Sequence, residues 1–165
     1  MRALARDLPR STGLTELACT TGTAGTGKSF VIERIHEYVT EVAAQRGWSC
    51  PEAAAVVAAY TGVAAFNVKG RTLHSLLGLP TDPKDFTDVK GKALEKLQDR
   101  LECTHLLILD ERSMIGRRTL SWLSSRAKQA KANDDVSFGG LGVIQLGGGA
   151  LNSLQLEIFH CTRGT

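Results

Sequence analysis

The stretch GTAGTGKS at residues 22–29 constrains this chain more than any other feature. It satisfies G-x-x-x-x-G-K-[ST] and stands between a candidate strand and an amphipathic helix. In that setting the chain must form a strand, a turn that wraps phosphate, and a helix whose amino terminus faces the anion. Each residue type has a task. Glycines at Gly22, Gly25 and Gly27 let the backbone curl around phosphate oxygens without Cβ clashes, and Thr23, Ala24 and Thr26 complete the cradle of main-chain amides. Lys28 then meets the β- and γ-phosphates, and the Ser29 hydroxyl ligates Mg²⁺. The expected ligands are a nucleoside triphosphate, ATP or GTP, and magnesium.

Strands and helices alternate along the remaining sequence, the pattern that yields a parallel sheet with helices on its faces, so the class is α/β. A first strand is expected at 17–21, although LACTT is polar for a central strand. A helix follows from Lys28, with Val31, Ile35, Tyr38, Val39 and Val42 at helical spacing and Gly47 placed to end it. AAAVVAAY at 53–60 reads as a buried strand, and PTDPKDFTD at 80–88 as a surface loop. That loop leads into a helix across Leu94, Leu97 and Leu101, then a strand at 106–110. A polar helix with Leu120, Leu123 and Ala127 on its apolar stripe runs from after Gly116 to about Lys131. Its Lys128 and Lys131 are expected on a solvated face. A last strand falls at 141–146, and beyond it no period is legible.

With 165 residues there is room for one domain, and 42% hydrophobic with 22% charged residues is a globular rather than a disordered balance. The longest apolar runs are far below the roughly 20 residues of a membrane span, so no membrane partner is expected. A net charge of +3 tolerates a polyanionic partner without requiring one. Cys19, Cys50, Cys103 and Cys161 are widely spaced with no CxxC, which suggests neither a zinc site nor a disulfide framework and fits a reduced intracellular setting. Arg2, Arg6 and Arg10 hint at a transit peptide, against which Asp7 and the short length count.

The pair Asp110 and Glu111 closes the apolar strand LLILD, at the end where open parallel sheets bind ligands. Asp110 is a candidate to hold magnesium, directly or through water, and Glu111 to polarise the attacking water. Standing alone, such a dipeptide is more often a helix cap or a solvated turn. The upstream phosphate loop favours the chemical reading.

Three further stretches carry a resemblance. TGVAAFNVKGRTLHSLLGLP at 61–80, LLILDERSMIG at 106–116 and FGGLGVI at 138–144 resemble, in order and spacing, the Pif-type (petite integration frequency) DNA helicases, including relatives encoded by Helitron transposons. The likeness covers about residues 20–147. It implies a P-loop NTPase of RecA-like fold, a parallel sheet flanked by helices, represented by its first motor domain and so incomplete. It also implies ATP hydrolysis with Mg²⁺ coupled to 5′-to-3′ movement on single-stranded DNA or DNA junctions. Roles in repair, recombination, and telomere or transposon maintenance go with it. Carried onto this chain, Thr61, Asn67, Thr72 and His74 become candidates for sugar-phosphate contact, with groups that position a strand without reading sequence. His74 as a helix cap, and Asn67 with Gly70 as a plain turn, remain open alternatives. Ser113 is a candidate relay behind the acids and Met114 a core residue. Trp48 and Trp122 fit packing better than base stacking.

The chain also departs from that family. The pattern G-D-F-x-Q-L-P-P is replaced by GGGALNSL at 147–154, with Leu151 where a sensing glutamine is expected, and no glutamine precedes Gln45 to read adenine. The expected organisation is an extension at 1–15, the motor domain at 16–147 and a divergent tail at 148–165, with the second motor domain and its arginine finger missing. An abrupt loss of likeness at Gly147 suggests a frame or exon error there, which transcript sequencing tests. The leading expectation is thus an ATP-dependent DNA helicase cut to its ATP-binding domain, acting in the nucleus or mitochondrion if eukaryotic. A non-catalytic nucleotide-binding remnant is the second reading. A small P-loop kinase is the third, although it leaves residues 61–80 unexplained.

Overall fold

The computed structural model describes residues 16–21, 27–147 and 155–160. Six strands form one sheet: β1 (Glu16–Thr21), β2 (Ala55–Ala59), β3 (Arg71–Thr72), β4 (Leu106–Asp110), β5 (Gly142–Gly147) and β6 (Gln155–His160). Their order across the sheet is β3-β2-β4-β5-β1-β6. The first five run parallel and β6 lies antiparallel beside β1. All the parallel strands therefore deliver their carboxyl ends to one rim.

Among the described residues five α-helices accompany them: α1 (Lys28–Gln45), α2 (Gly62–Asn67), α3 (Leu73–Leu77), α4 (Lys92–Leu101) and α5 (Arg117–Lys131). The apolar run LLIL in β4 is explained by burial on both sides of the sheet. Leu106 and Ile108 join Ile32, Val39 and Ala43 of α1 in one core, while Leu107 and Leu109 join residues of α3, α4 and α5 in the other. Burying a leucine fully contributes about 1.5–3 kcal/mol, so these central strands fix the frame on which the rim is built. No helix among the described residues is long and apolar enough to cross a membrane.

Several expectations shift once packing is seen. The strand expected at 53–60 is shorter, because Pro51–Ala53 forms a turn of 3-10 helix that favours proline at its start. Gly47 does end α1, at φ 70, with its N–H on Ala44 O. Tyr38 stays 37% exposed, and Ile32 and Ala43 complete the buried stripe instead. Lys131 is not on a solvated face: its ammonium donates to Leu101 O at 2.7 Å and Glu102 O at 2.9 Å, closing the end of α4. The loop before α4 is anchored, since Phe86 stacks on Trp122 at 5.1 Å and the Arg126 guanidinium lies 4.7 Å over the Phe86 ring. Trp48 lies 4.0 Å from the His105 ring, so both tryptophans pack. The wide spacing of Cys50 and Cys103 hides a contact: a hydrogen bond with Cys103 is the main cause that pushes the Cys50 thiol up to about 11.

Candidate nucleotide site and the adjoining nucleic-acid face

Gly27 takes the left-handed conformation (φ 79, ψ 21) as the residue before α1, and among the described residues no side chain caps that helix. No acid occupies the first turn of α1 either. Its amide dipoles are thus left to face an anion supplied from outside the helix. Lys28 and Ser29 open α1, with Lys28 half-buried and Ser29 exposed. Gly22, Thr23, Ala24, Gly25 and Thr26 lie outside the described residues.

Across the rim, β4 delivers Asp110 half-buried. Burial raises its carboxyl above the ordinary range, as does the neighbouring Glu111 charge, while the Glu111 main-chain N–H and the Lys28 charge act the other way. Ionised Asp110 is therefore held at a cost that a nearby cation offsets, and Lys28 lies close enough to contribute. Glu111 leaves the strand at φ 59, ψ 48, a left-handed conformation few non-glycine residues adopt. That turn places its carboxylate against Thr61, whose hydroxyl donates to Glu111 Oε2 at 3.0 Å. The register of β2 on β4 brings Thr61, Asp110 and Glu111 together at the sheet rim, and the Lys28 charge reaches Asp110 there.

Gly147 allows the turn of residues 112–114 to sit against the end of β5, since a Cβ there would meet Arg112 Cβ at 2.7 Å. Ser113 and Met114 are both exposed on that turn, Met114 to 51%. Met114 is therefore not a core residue: the chain has already turned out of the sheet at Glu111.

The four candidates for strand contact divide. Thr61 and Thr72 cap α2 and α3, accepting from Ala64 N and Ser75 N, each at 3.2 Å. Thr72 also donates to Ser75 Oγ at 2.9 Å. His74 is half-buried, with its ring edge-on to Tyr60 at 5.5 Å, and the capping role falls to Thr72 instead. Asn67 is exposed at the end of α2. Gly70 serves the turn after it, because a Cβ at that position would lie 2.5 Å from the Val57 carbonyl oxygen. Reading by residue type overlooked Val63 and Phe66, which are 75% and 84% exposed on α2. The signal was present: both stand off the buried pair Ala64 and Ala65 at i, i+3 spacing.

Comparison with known proteins adds four findings. The family model described as PIF1-like helicase matches residues 11–155, extending through the altered segment after Gly147 rather than ending there. The "ATP-dependent DNA helicase Pif1" of Psychrobacter sp. is 34% identical over 131 residues, 77% of this chain and 18% of that protein. The "ATP-dependent DNA helicase RRM3" of Saccharomyces cerevisiae is 33% identical over 130 residues, 77% of this chain and 17% of that one. Among solved structures, the Pif1 helicase from Bacteroides in complex with ADP-AlF3 and ssDNA superposes with a TM-score of 0.64 at 30% identity. That match covers 84% of this chain and 29% of the Bacteroides chain. The chain thus spans about a fifth of the length of the curated relatives it matches.

Proposed function

This chain belongs to the PIF1-like helicase family, with the RecA-like α/β fold of its solved relatives, and we propose that it is the ATP-binding motor domain of an ATP-dependent DNA helicase. The observation that carries the reading is the convergence of Lys28, Asp110 and Glu111 at the carboxyl rim of the sheet. The donor set fits a magnesium–nucleotide ligand: a half-buried carboxylate, a hydroxyl on the first turn of α1, and a lysine whose charge reaches the carboxylate. Bound magnesium would neutralise charge on the β- and γ-phosphate oxygens.

The chain's own residues do the rest. Gly22, Thr23, Ala24, Gly25, Thr26 and Gly27 supply main-chain amides to the phosphates, and Lys28 adds a positive charge. Ser29 and Asp110 would hold the cation. Glu111 orients the attacking water and accepts its proton. Asn67 and the outer face of α2, with Thr61, Thr72 and His74 behind it, form the border along which single-stranded DNA or a junction runs. Unwinding belongs to the whole protein, in which a second motor domain closes on this one as the family pattern implies. A DNA substrate puts the protein inside the cell, in the nucleus or mitochondrion of a eukaryote.

Glu111→Gln tests the reading through ATP turnover measured with and without oligo(dT). Turnover should fall by about 10²–10⁴ while ATP affinity is retained, as for loss of a general base. Full activity in that variant would remove Glu111 from the mechanism. A second reading, nucleotide binding without turnover, is favoured by the replacement of the sensor segment with GGGALNSL. It predicts that the unaltered chain binds Mg-ATP and hydrolyses none.

A further inference from the structure

The Thr61 hydroxyl joins two parts of the molecule that the proposed function treats separately. It donates to Glu111 Oε2 at 3.0 Å and accepts from Ala64 N at 3.2 Å, so a single oxygen ties the candidate base to the first turn of α2. The strands make this contact possible. β2 and β4 are in register at Ala59 and Asp110, so Thr61 and Glu111 leave the sheet side by side. Glu111 is held meanwhile in a left-handed conformation, which persists only where surrounding contacts over-determine it.

The two ends of α2 differ in how firmly they are held. At the far end Gly70 N donates to Ala65 O at 2.8 Å, and Gly70 lies against the Val57 carbonyl so tightly that no Cβ fits. Lys69 adds a contact to Glu33 of α1 at 3.2 Å. At the near end Gly62 has open space around it. A load on the exposed outer face of α2, on Val63 and Phe66, therefore displaces the Thr61 end more readily than the Gly70 end. An exposed phenylalanine flanked by Lys69 and Arg71 suits a nucleobase, which every sequence presents as a flat face beside a phosphate.

Resting on the reading of the chain as a DNA-dependent ATPase, we propose that Thr61 is a positioning residue that restrains the Glu111 carboxylate until a single strand of DNA occupies the outer face of α2. Displacement of the first turn of α2 then breaks the Thr61 hydrogen bond. A carboxylate oxygen released from that O–H donor is free to turn toward water. The same hydroxyl thereby links strand occupancy to hydrolysis, with no other contact between the two regions required.

The test uses Thr61→Val, which keeps the shape and removes the hydroxyl, and Thr61→Ser, which keeps the hydroxyl. ATP turnover is measured with and without oligo(dT), alongside oligo(dT) binding by fluorescence anisotropy. In Thr61→Val the DNA-free kcat should rise about fivefold, the rate equivalent of one hydrogen bond, with KM for ATP unchanged. Its stimulation by DNA should fall toward one, and Thr61→Ser should restore the wild-type ratio. Equal loss of turnover with and without DNA in a folded Thr61→Val would overturn the proposal. A second measurement needs no Thr61 variant: the labelled Glu111 carboxyl ¹³C signal at one pH, identified through Glu111→Gln. It should move when oligo(dT) binds. Strand binding with an unmoved signal overturns this proposal alone, whereas absence of strand binding overturns the DNA-dependent reading and the proposal with it.

Discussion

Two residues away from the rim show how local chemistry sets the stability of the site. Gly70 lies where a methyl group would come 2.5 Å from the Val57 carbonyl oxygen, and β2 cannot retreat because it pairs with both β3 and β4. Gly70→Ala should therefore cost about 1–3 kcal/mol, read as a lowered urea midpoint with an unchanged slope. His105 carries a pH dependence. Partial desolvation beside neighbours that include the tilted Trp48 ring lowers its pKa from 6.5, and the Lys131 charge adds to the effect. The unfolded chain thus takes up the proton more readily than the folded one. The contribution is complete above the unfolded value of about 6.5 and is lost as pH falls through it toward the lower folded value. Thermal melts of His105→Phe should show a flatter decline below about pH 6.5 than the unaltered chain. An unchanged decline would locate the titration elsewhere.

Among the elements, those with long periodic patterns were legible and those made by tertiary contact were not. β4 falls at 106–110 and α1 begins at Lys28, as the sequence implies. α5 likewise ends at Lys131. The five- and six-residue helices α2 and α3 are too short to show a 3.6-residue period, so only family resemblance marked that region. β3 holds two residues, and nothing local specifies a strand that short. β6 was missed although Leu156 and Ile158 alternate with Gln155 and Glu157, because the period-two pattern is short and Phe159 breaks it. At the site, the identities of Lys28, Asp110 and Glu111 could be read, but not that Thr61 holds Glu111, since 50 residues separate them. Lys131 was misread because a lysine near a helix end gives no sign of a neighbouring helix's carbonyls. Lys131→Met should cost about 1–2 kcal/mol by leaving Leu101 O and Glu102 O without their charged donor, measured by chemical denaturation.

In the whole molecule, helices pack on both faces of the sheet and leave its carboxyl rim for the chemistry expected there. Between them, the cores set on either face of the sheet bury most of the central strands and leave Asp110 half-buried at the rim. The exposed apolar side chains Val63 and Phe66 lie on a helix that begins at that rim. If single-stranded DNA follows this border, its affinity should fall steeply as salt rises, because phosphate contacts release counterions. Anisotropy titrations of oligo(dT) across salt concentrations check this, and salt-independent binding would argue for another surface. The central claim is that these elements form a working nucleotide site. It is tested most directly by thermal stability with and without Mg-ATP, in the unaltered chain and in Lys28→Ala. Ligand at 100 times its dissociation constant should stabilise the unaltered chain by about 2.7 kcal/mol, raising the melting midpoint by roughly 5–10 °C, and should leave Lys28→Ala unmoved. A folded chain whose midpoint ignores Mg-ATP, or a Lys28→Ala variant that shifts as far as the unaltered protein, would contradict it.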